Sequence, residues 1–149
     1  MPEFLETTVD KFIFRVATDR SYSAEGLWAL EEGDRVRIGL SDFLQQRSGD
    51  VAFAEVKPVG TSVAAGEEIA TIETIKVDVS LTSPVTGEVV ETNPALASTP
   101  EVINQDPYGA AWLAVLQVDD WEVSRTALLD AKTYFDHMKI QAEEEANEP

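Results

Sequence analysis

Short apolar alternations separated by turn residues dominate residues 9–118. Val9, Phe12, Ile13, Phe14 and Val16, interrupted by Lys11 and Arg15, predict an N-terminal strand over 9–17. Leu27, Trp28 and Leu30 precede the turn cluster Glu31-Glu32-Gly33-Asp34, and Val36, Ile38 and Leu40 follow it in alternation with Arg35, Arg37 and Gly39. That is the pattern of a half-buried hairpin. Ser41 then stands as the N-cap of a short helix near 42–47, stopped at Ser48-Gly49.

From Val51 onward the strands are short and closely spaced. Val51, Phe53 and Val56 predict one, the apolar-rich run from Ile69 to Ile75 another, and Val77, Val79 and Leu81, alternating with Asp78, Ser80 and Thr82, a third. Pro58-Val59-Gly60, Ala65-Gly66-Glu67-Glu68, Ser83-Pro84 and Thr86-Gly87 punctuate them. Gly66 and Gly87 are expected to supply turn dihedrals that side chains disfavour. The spacing predicts a mainly β sandwich or barrel.

The last third reads differently. Thr99 as N-cap with Pro100 at the first helical position predicts a short helix near 100–104. Trp112, Leu113, Val115 and Leu116 predict a last buried strand. Asp119-Asp120 and Asp130 are caps for C-terminal helices over 120–142, with Tyr134, Phe135 and Met138 at helical spacing. Residues 143–149 read as a frayed acidic tail.

The chain has 149 residues, of which 44% are hydrophobic and 26% charged, enough for one domain with a real core. It has no cysteine, which removes disulfides, thiolate metal sites and cysteine nucleophiles. Eleven basic residues face 28 acidic ones, a net charge of −17. Such a field repels phosphate backbones and anionic membranes, so neither nucleic acid nor a membrane is an expected partner. No apolar run reaches a membrane span, and the start, Met-Pro-Glu-Phe-Leu-Glu, does not read as a secretory signal. The expected compartment is cytoplasmic and the expected state a monomer.

Catalytic constellations are scarce. His137 is the only histidine, so a multi-histidine metal site is excluded, and beside Asp136 it reads as a solvated helix residue. No phosphate loop, dinucleotide fingerprint or nucleophile elbow is present. The informative feature is a local near-symmetry: glycine turns at Gly66 and Gly87 flank Lys76 at almost equal distance. If the two central segments pair as a hairpin, Thr74, Ile75, Lys76 and Val77 form its tip. A lysine there has full reach into solvent, which suits covalent attachment of a mobile cofactor. From spacing alone an ordinary solubilising edge lysine is the better fit.

The residue string weighs further. Glu73-Thr74-Ile75-Lys76, followed by Ser83-Pro84-Val85-Thr86-Gly87-Glu88, resembles the lipoyl-lysine segment of glycine cleavage system H proteins. Tyr22 and Trp28, the Gly33–Gly49 stretch with Gln45, Asn104-Gln105-Asp106-Pro107-Tyr108 and Trp112-Leu113 resemble further segments of that family in the same order. The likeness covers roughly residues 20–136. It implies a single carrier domain over 1–149, a barrel-sandwich hybrid of lipoyl/biotinyl type with short peripheral and C-terminal helices. It also implies lipoic acid in amide linkage to Lys76, no catalytic activity of the chain itself, and a lipoate-protein ligase or lipoyl transferase as partner. Glu73, three residues before the lysine, would help that ligase recognise the hairpin. Biotinyl carriers share the architecture but flank their lysine with methionines, where Ile75 and Val77 stand. An interaction module with an unmodified lysine is the third reading.

The likeness has gaps. The family shelters a cationic aminomethyl cargo near a serine and a glutamate before the tryptophan and an aspartate four residues after the lysine. These positions fall on Glu25, Leu27 and Ser80. Two carboxylates are thereby lost, and of these positions only Glu25 is left to supply one; drift at tolerant positions, or a compensating carboxylate elsewhere on the acidic surface, is the alternative. Each lost charge-assisted bond should cost about 1.5–3 kcal/mol. The stretches Val9–Val16, Gln45–Asp50 and Ile75–Val77 are also similar to lipoate-binding proteins of heterodisulfide-reductase-like sulfur oxidation. The expected main cargo is therefore that of a sulfur-oxidation complex, with glycine cleavage enzymes and the aminomethyl group as the alternative.

Overall fold

The computed structural model describes residues 3–147. Strands β1 (Phe4–Val9) and β2 (Phe12–Ala17) form a separate two-stranded ribbon. The single strand predicted over 9–17 is thus the second half of a hairpin, and the β core begins before residue 9. Val9 pairs with Phe12, leaving a two-residue loop in which Asp10 takes φ 57°. Aspartate tolerates this left-handed conformation, which suits the twist of a tight hairpin.

A six-stranded antiparallel sheet follows in the order β3 (Ser21–Tyr22), β4 (Leu27–Glu32), β5 (Arg35–Leu40), β11 (Ala114–Gln117), β10 (Gly87–Thr92), β7 (Ser62–Val63). The β4–β5 hairpin has the predicted register, Leu27 opposite Leu40 and Glu32 opposite Arg35. A three-stranded sheet stacks β6 (Val51–Val56), β8 (Glu68–Thr74) and β9 (Asp78–Thr82). Leu27, Ile38, Val89 and Leu116 of the larger sheet meet Ile69, Ile72 and Leu81 of the smaller one in the main core. The fold is a sandwich with mostly β content, and its sheets do not close into a barrel.

Helix α1 (Asp42–Ser48) begins where predicted, with the Ser41 hydroxyl accepting from Leu44 N. The predicted Thr99 cap is not used. Helix α2 (Ala95–Ser98) precedes it, started by Asn93 Oδ1 accepting from Ala95 N, and Thr99 closes that helix while α3 (Val102–Gln105) starts after Glu101. Trp112 and Leu113 lie before the last strand, not in it. Asp120 caps α4 (Trp121–Thr126), and Asp130 caps α5 (Ala131–Ala146) through Val123 N and Thr133 N. The tail predicted over 143–149 is helical as far as Ala146. Arg47 pairs with Glu145 at 3.1 Å, and Ala142 is buried. Glu148 and Pro149 lie outside the described residues.

A second core holds α5 against the N-terminal ribbon. Val9, Phe14, Val16, Phe43, Tyr134, Met138 and Ala142 pack around Tyr22 and Trp28. The Tyr22 and Tyr134 rings stack with centroids 4.5 Å apart, and Tyr134 Oη meets Ser41 Oγ at 3.0 Å. Trp28 donates through Nε1 to Pro107 O at 3.0 Å. Of the two glycines predicted to need special dihedrals, Gly66 has φ +90°. Gly87 does not, and its constraint is space: a Cβ there would meet Gln117 O at 2.6 Å.

Candidate functional site

Lys76 sits at the tip of the β8–β9 hairpin, among the four residues 74–77 enclosed by the last pair Glu73–Asp78. Thr74 ties this loop: its N donates to Val77 O, its hydroxyl donates to the same carbonyl, and its Oγ1 accepts from Lys76 N and Val77 N. Ile75 N donates to Asp50 O, which fixes the tip to the segment after α1. Lys76 and its neighbours are exposed, Ile75 to 77%. Among the described residues, no carboxylate pairs with Lys76. The amine is neither buried nor engaged, the state that acylation requires and that an unmodified structural lysine would not need.

Beside β9 lies an open cleft of about 720 Å³. Its walls are the β9 edge, the loop before β4, α1 and α5. Three residues singled out in the sequence, Glu25, Leu27 and Ser80, line it together. Leu27 contributes apolar wall and belongs to the main core. Ser80 donates to Glu68 Oε2 at 2.6 Å, so a carboxylate stands beside it from the neighbouring strand. Glu73 lies apart from the cleft, exposed on the outer face of the smaller sheet between Phe53 and Asp78.

Four further cleft residues come from α5: His137, Ile140, Gln141 and Glu144. Their spacing, i, i+3, i+4 and i+7, places them on one helix face. That periodicity was the available signal; the tail reading over 143–149 hid only its last member, Glu144. Glu144 is a second carboxylate on the cleft beside Glu25, from a position outside those compared in the sequence. His137 is exposed, as predicted, and also walls the cleft. Arg47, the cleft's strongest cation, is partly neutralised by Glu145. Among the described residues, no group of three or more His, Asp or Glu is placed to hold a metal ion, and no helix is long and apolar enough to cross a membrane.

These residues fit a covalently held arm: a free amine at an apex, a strand leading away from it, and a cleft with apolar walls and carboxylates along that strand. Together they define a group carrier. A sequence model of the glycine cleavage H-protein family matches residues 20–141, and the chain belongs to this family. It is 41% identical over 127 residues to a glycine cleavage system H protein of Thermus thermophilus, covering 85% of this chain and 98% of that relative. A glycine cleavage system H protein of Mycobacterium tuberculosis is 41% identical over 125 residues, covering 80% and 93%. The crystal structure of a glycine cleavage system H protein from Mycobacterium marinum superposes with a TM-score of 0.73 at 34% identity, covering 81% of this chain and 97% of that one. Proteins of this family are lipoyl carriers without catalytic activity of their own, their cofactor being a lipoyl group in amide linkage to a lysine. Of the two cargoes weighed from the sequence, the relatives favour glycine cleavage over sulfur oxidation.

Proposed function

We propose that Lys76 is the lipoyl attachment site and that the protein carries an aminomethyl group between the enzymes of glycine cleavage. The observation that carries this reading is the free Lys76 amine at the head of the strand that walls the cleft. Ser80, on β9, is four residues beyond Lys76, at most about 13 Å away at roughly 3.3 Å per residue. A lysine stem extended by a short acyl chain spans such a distance. The lipoyl group, when attached, supplies the pair of sulfur atoms that holds the cargo.

The chain's own residues do the rest. The loop around Thr74 presents the amine, and Leu27, Leu44, Val79 and Ile140 offer apolar wall to the folded-back arm. Glu25 and Glu144 face the same space and would hold a primary ammonium there. Such shelter keeps water from a labile cargo between docking events. Tethering also gives the cargo a high local concentration at each docked partner. The partners in this reading are a lipoate-attaching ligase or transferase and the glycine cleavage enzymes, met in the cytoplasm by a monomeric carrier.

Co-expression with a lipoate ligase should add one lipoyl mass to the intact chain, and Lys76→Arg should abolish it. Modification that survives the substitution would refute the site. The lipoylated protein should then accept an aminomethyl group from a glycine decarboxylase and pass it to an aminomethyltransferase. Full lipoylation without transfer would reverse the pathway assignment in favour of the sulfur-oxidation resemblance.

A further inference from the structure

The outer face of the three-stranded sheet carries an exposed aromatic side chain and carboxylates that lie outside the cleft. Cross-strand register puts Phe53, Glu73 and Asp78 on one rung and Glu55, Thr71 and Ser80 on the next. Phe53 is 68% exposed. Around it stand Glu55, Glu73 and Asp78, all exposed, with Glu68 bonded to Ser80 and paired with Lys57 at 3.6 Å. Ile75 and Val77, exposed to 77% and 50%, extend the apolar surface to the hairpin tip. One aromatic side chain ringed by carboxylates is the composition of an anchor with a polar rim.

Resting on the assignment of Lys76 as the attachment site, we propose that this face is where the acylating enzyme docks. That enzyme would receive Phe53 in an apolar socket bordered by basic side chains. The choice of occupant follows from reach. Partners of the loaded carrier meet the far end of an arm and need not touch the base of the hairpin. The acylating enzyme must bring Lys76 Nζ to bonding distance of its donor, so its surface has to meet the residues flanking that amine. A second copy of this chain is a poor occupant, because the same acidic face would oppose itself. In the step itself Nζ loses a proton and attacks the acyl carbon of an activated lipoyl donor, an acyl adenylate. The amide C–N bond forms, the C–O bond to phosphate breaks, AMP leaves, and a second proton departs from nitrogen. No electrons are exchanged.

The test uses the full unmodified chain with a lipoate-protein ligase, lipoic acid and ATP, and reads initial rates of mass increase against carrier concentration. Phe53→Ser should raise KM about tenfold, the loss typical of an interface anchor, with kcat little changed. Phe53→Tyr should restore the wild-type value. Val123→Ser, on α4 and 65% exposed in the free protein, should change nothing. KM of the wild type should rise with salt, and less so after Glu55→Gln with Asp78→Asn. A Phe53→Ser variant that matches wild type in KM, or a wild-type KM indifferent to salt, overturns the docking face while leaving Lys76 in place. Modification of Lys76→Arg, or none of the wild type, defeats the site assignment itself.

Discussion

Gly49 packs against the stem of Lys76. A Cβ at position 49 would stand 2.9 Å from Lys76 Cε and 3.6 Å from Nζ. The same glycine closes α1 with φ 92° and ψ −169°, a conformation that L side chains rarely adopt. Asn104 braces it, donating through Nδ2 to Gly49 O at 2.9 Å and to Gln45 Oε1 at 3.0 Å, and accepting through Oδ1 from Val51 N. The lysine is exposed at its tip while its stem lies against the Gly49 backbone.

Gly49→Ala should therefore act twice. Backbone strain should cost about 1–3 kcal/mol of stability, seen as a lower urea midpoint. Displacement of the lysine stem should slow lipoylation even at temperatures where the variant is fully folded. A variant with wild-type stability and wild-type modification rate would contradict both effects.

In the proposed carrier role, Glu25 and Glu144 of the cleft would set how long the cargo survives. Neutralising one with Glu25→Gln or Glu144→Gln should speed loss of the bound aminomethyl group about tenfold, the equivalent of one charge-assisted hydrogen bond. The double substitution should lose it faster still, while attachment of lipoate to Lys76 stays unchanged. Timed mass spectra of the loaded carrier make the measurement.

Alkali should unfold the protein through its tyrosines. Burial pushes the Tyr134 phenol up to about 12, with the Ser41 hydrogen bond opposing, and burial raises Tyr22 and Tyr108 as well. The unfolded chain ionises these groups near pH 10. Stability is thus fully present below about pH 10 and drains as pH rises through the folded values, at about 1.4 kcal/mol per pH unit for each tyrosine. All three tyrosines of the chain should ionise together with loss of circular dichroism. Phenolate absorbance that rises near pH 10 with the fold intact would overturn this.

Acid should act on the start of α5. Hydrogen bonds from Thr133 hold the Asp130 carboxyl below its usual range. Its contribution is present above the unfolded carboxyl value and is lost as pH falls through the folded one. Asp130→Ala should lower the melting temperature at neutral pH, and the gap to wild type should close as the solution is acidified. A gap that persists at low pH would show that the carboxylate is not the source.

What the sequence made legible was local. Val36, Ile38 and Leu40 against Arg35, Arg37 and Gly39 define a hairpin without help from the rest of the chain, and Ser41 and Asp130 cap helices through bonds only three residues long. Lys76 stood out because glycine turns at Gly66 and Gly87 flank it at almost equal distance and because the string Glu73-Thr74-Ile75-Lys76 resembles the family's attachment segment. The elements that escaped depend on distant partners. Strand β1 follows directly on the chain start and is held by β2 and α5. The run Glu143-Glu144-Glu145 looks self-repelling in isolation, yet Arg47 and the packing of Ala142 keep it helical. The cleft was invisible for the same reason: it forms only where α5 packs beside β9, α1 and the loop before β4, elements far apart in sequence.

The second core joins segments far apart in sequence, Val9 and Phe14 meeting Met138 and Ala142. During synthesis the apolar side chains of the N-terminal ribbon must therefore wait uncovered until α5 has been made. The cleft, one wall of which is α5, comes into being only once that helix has docked.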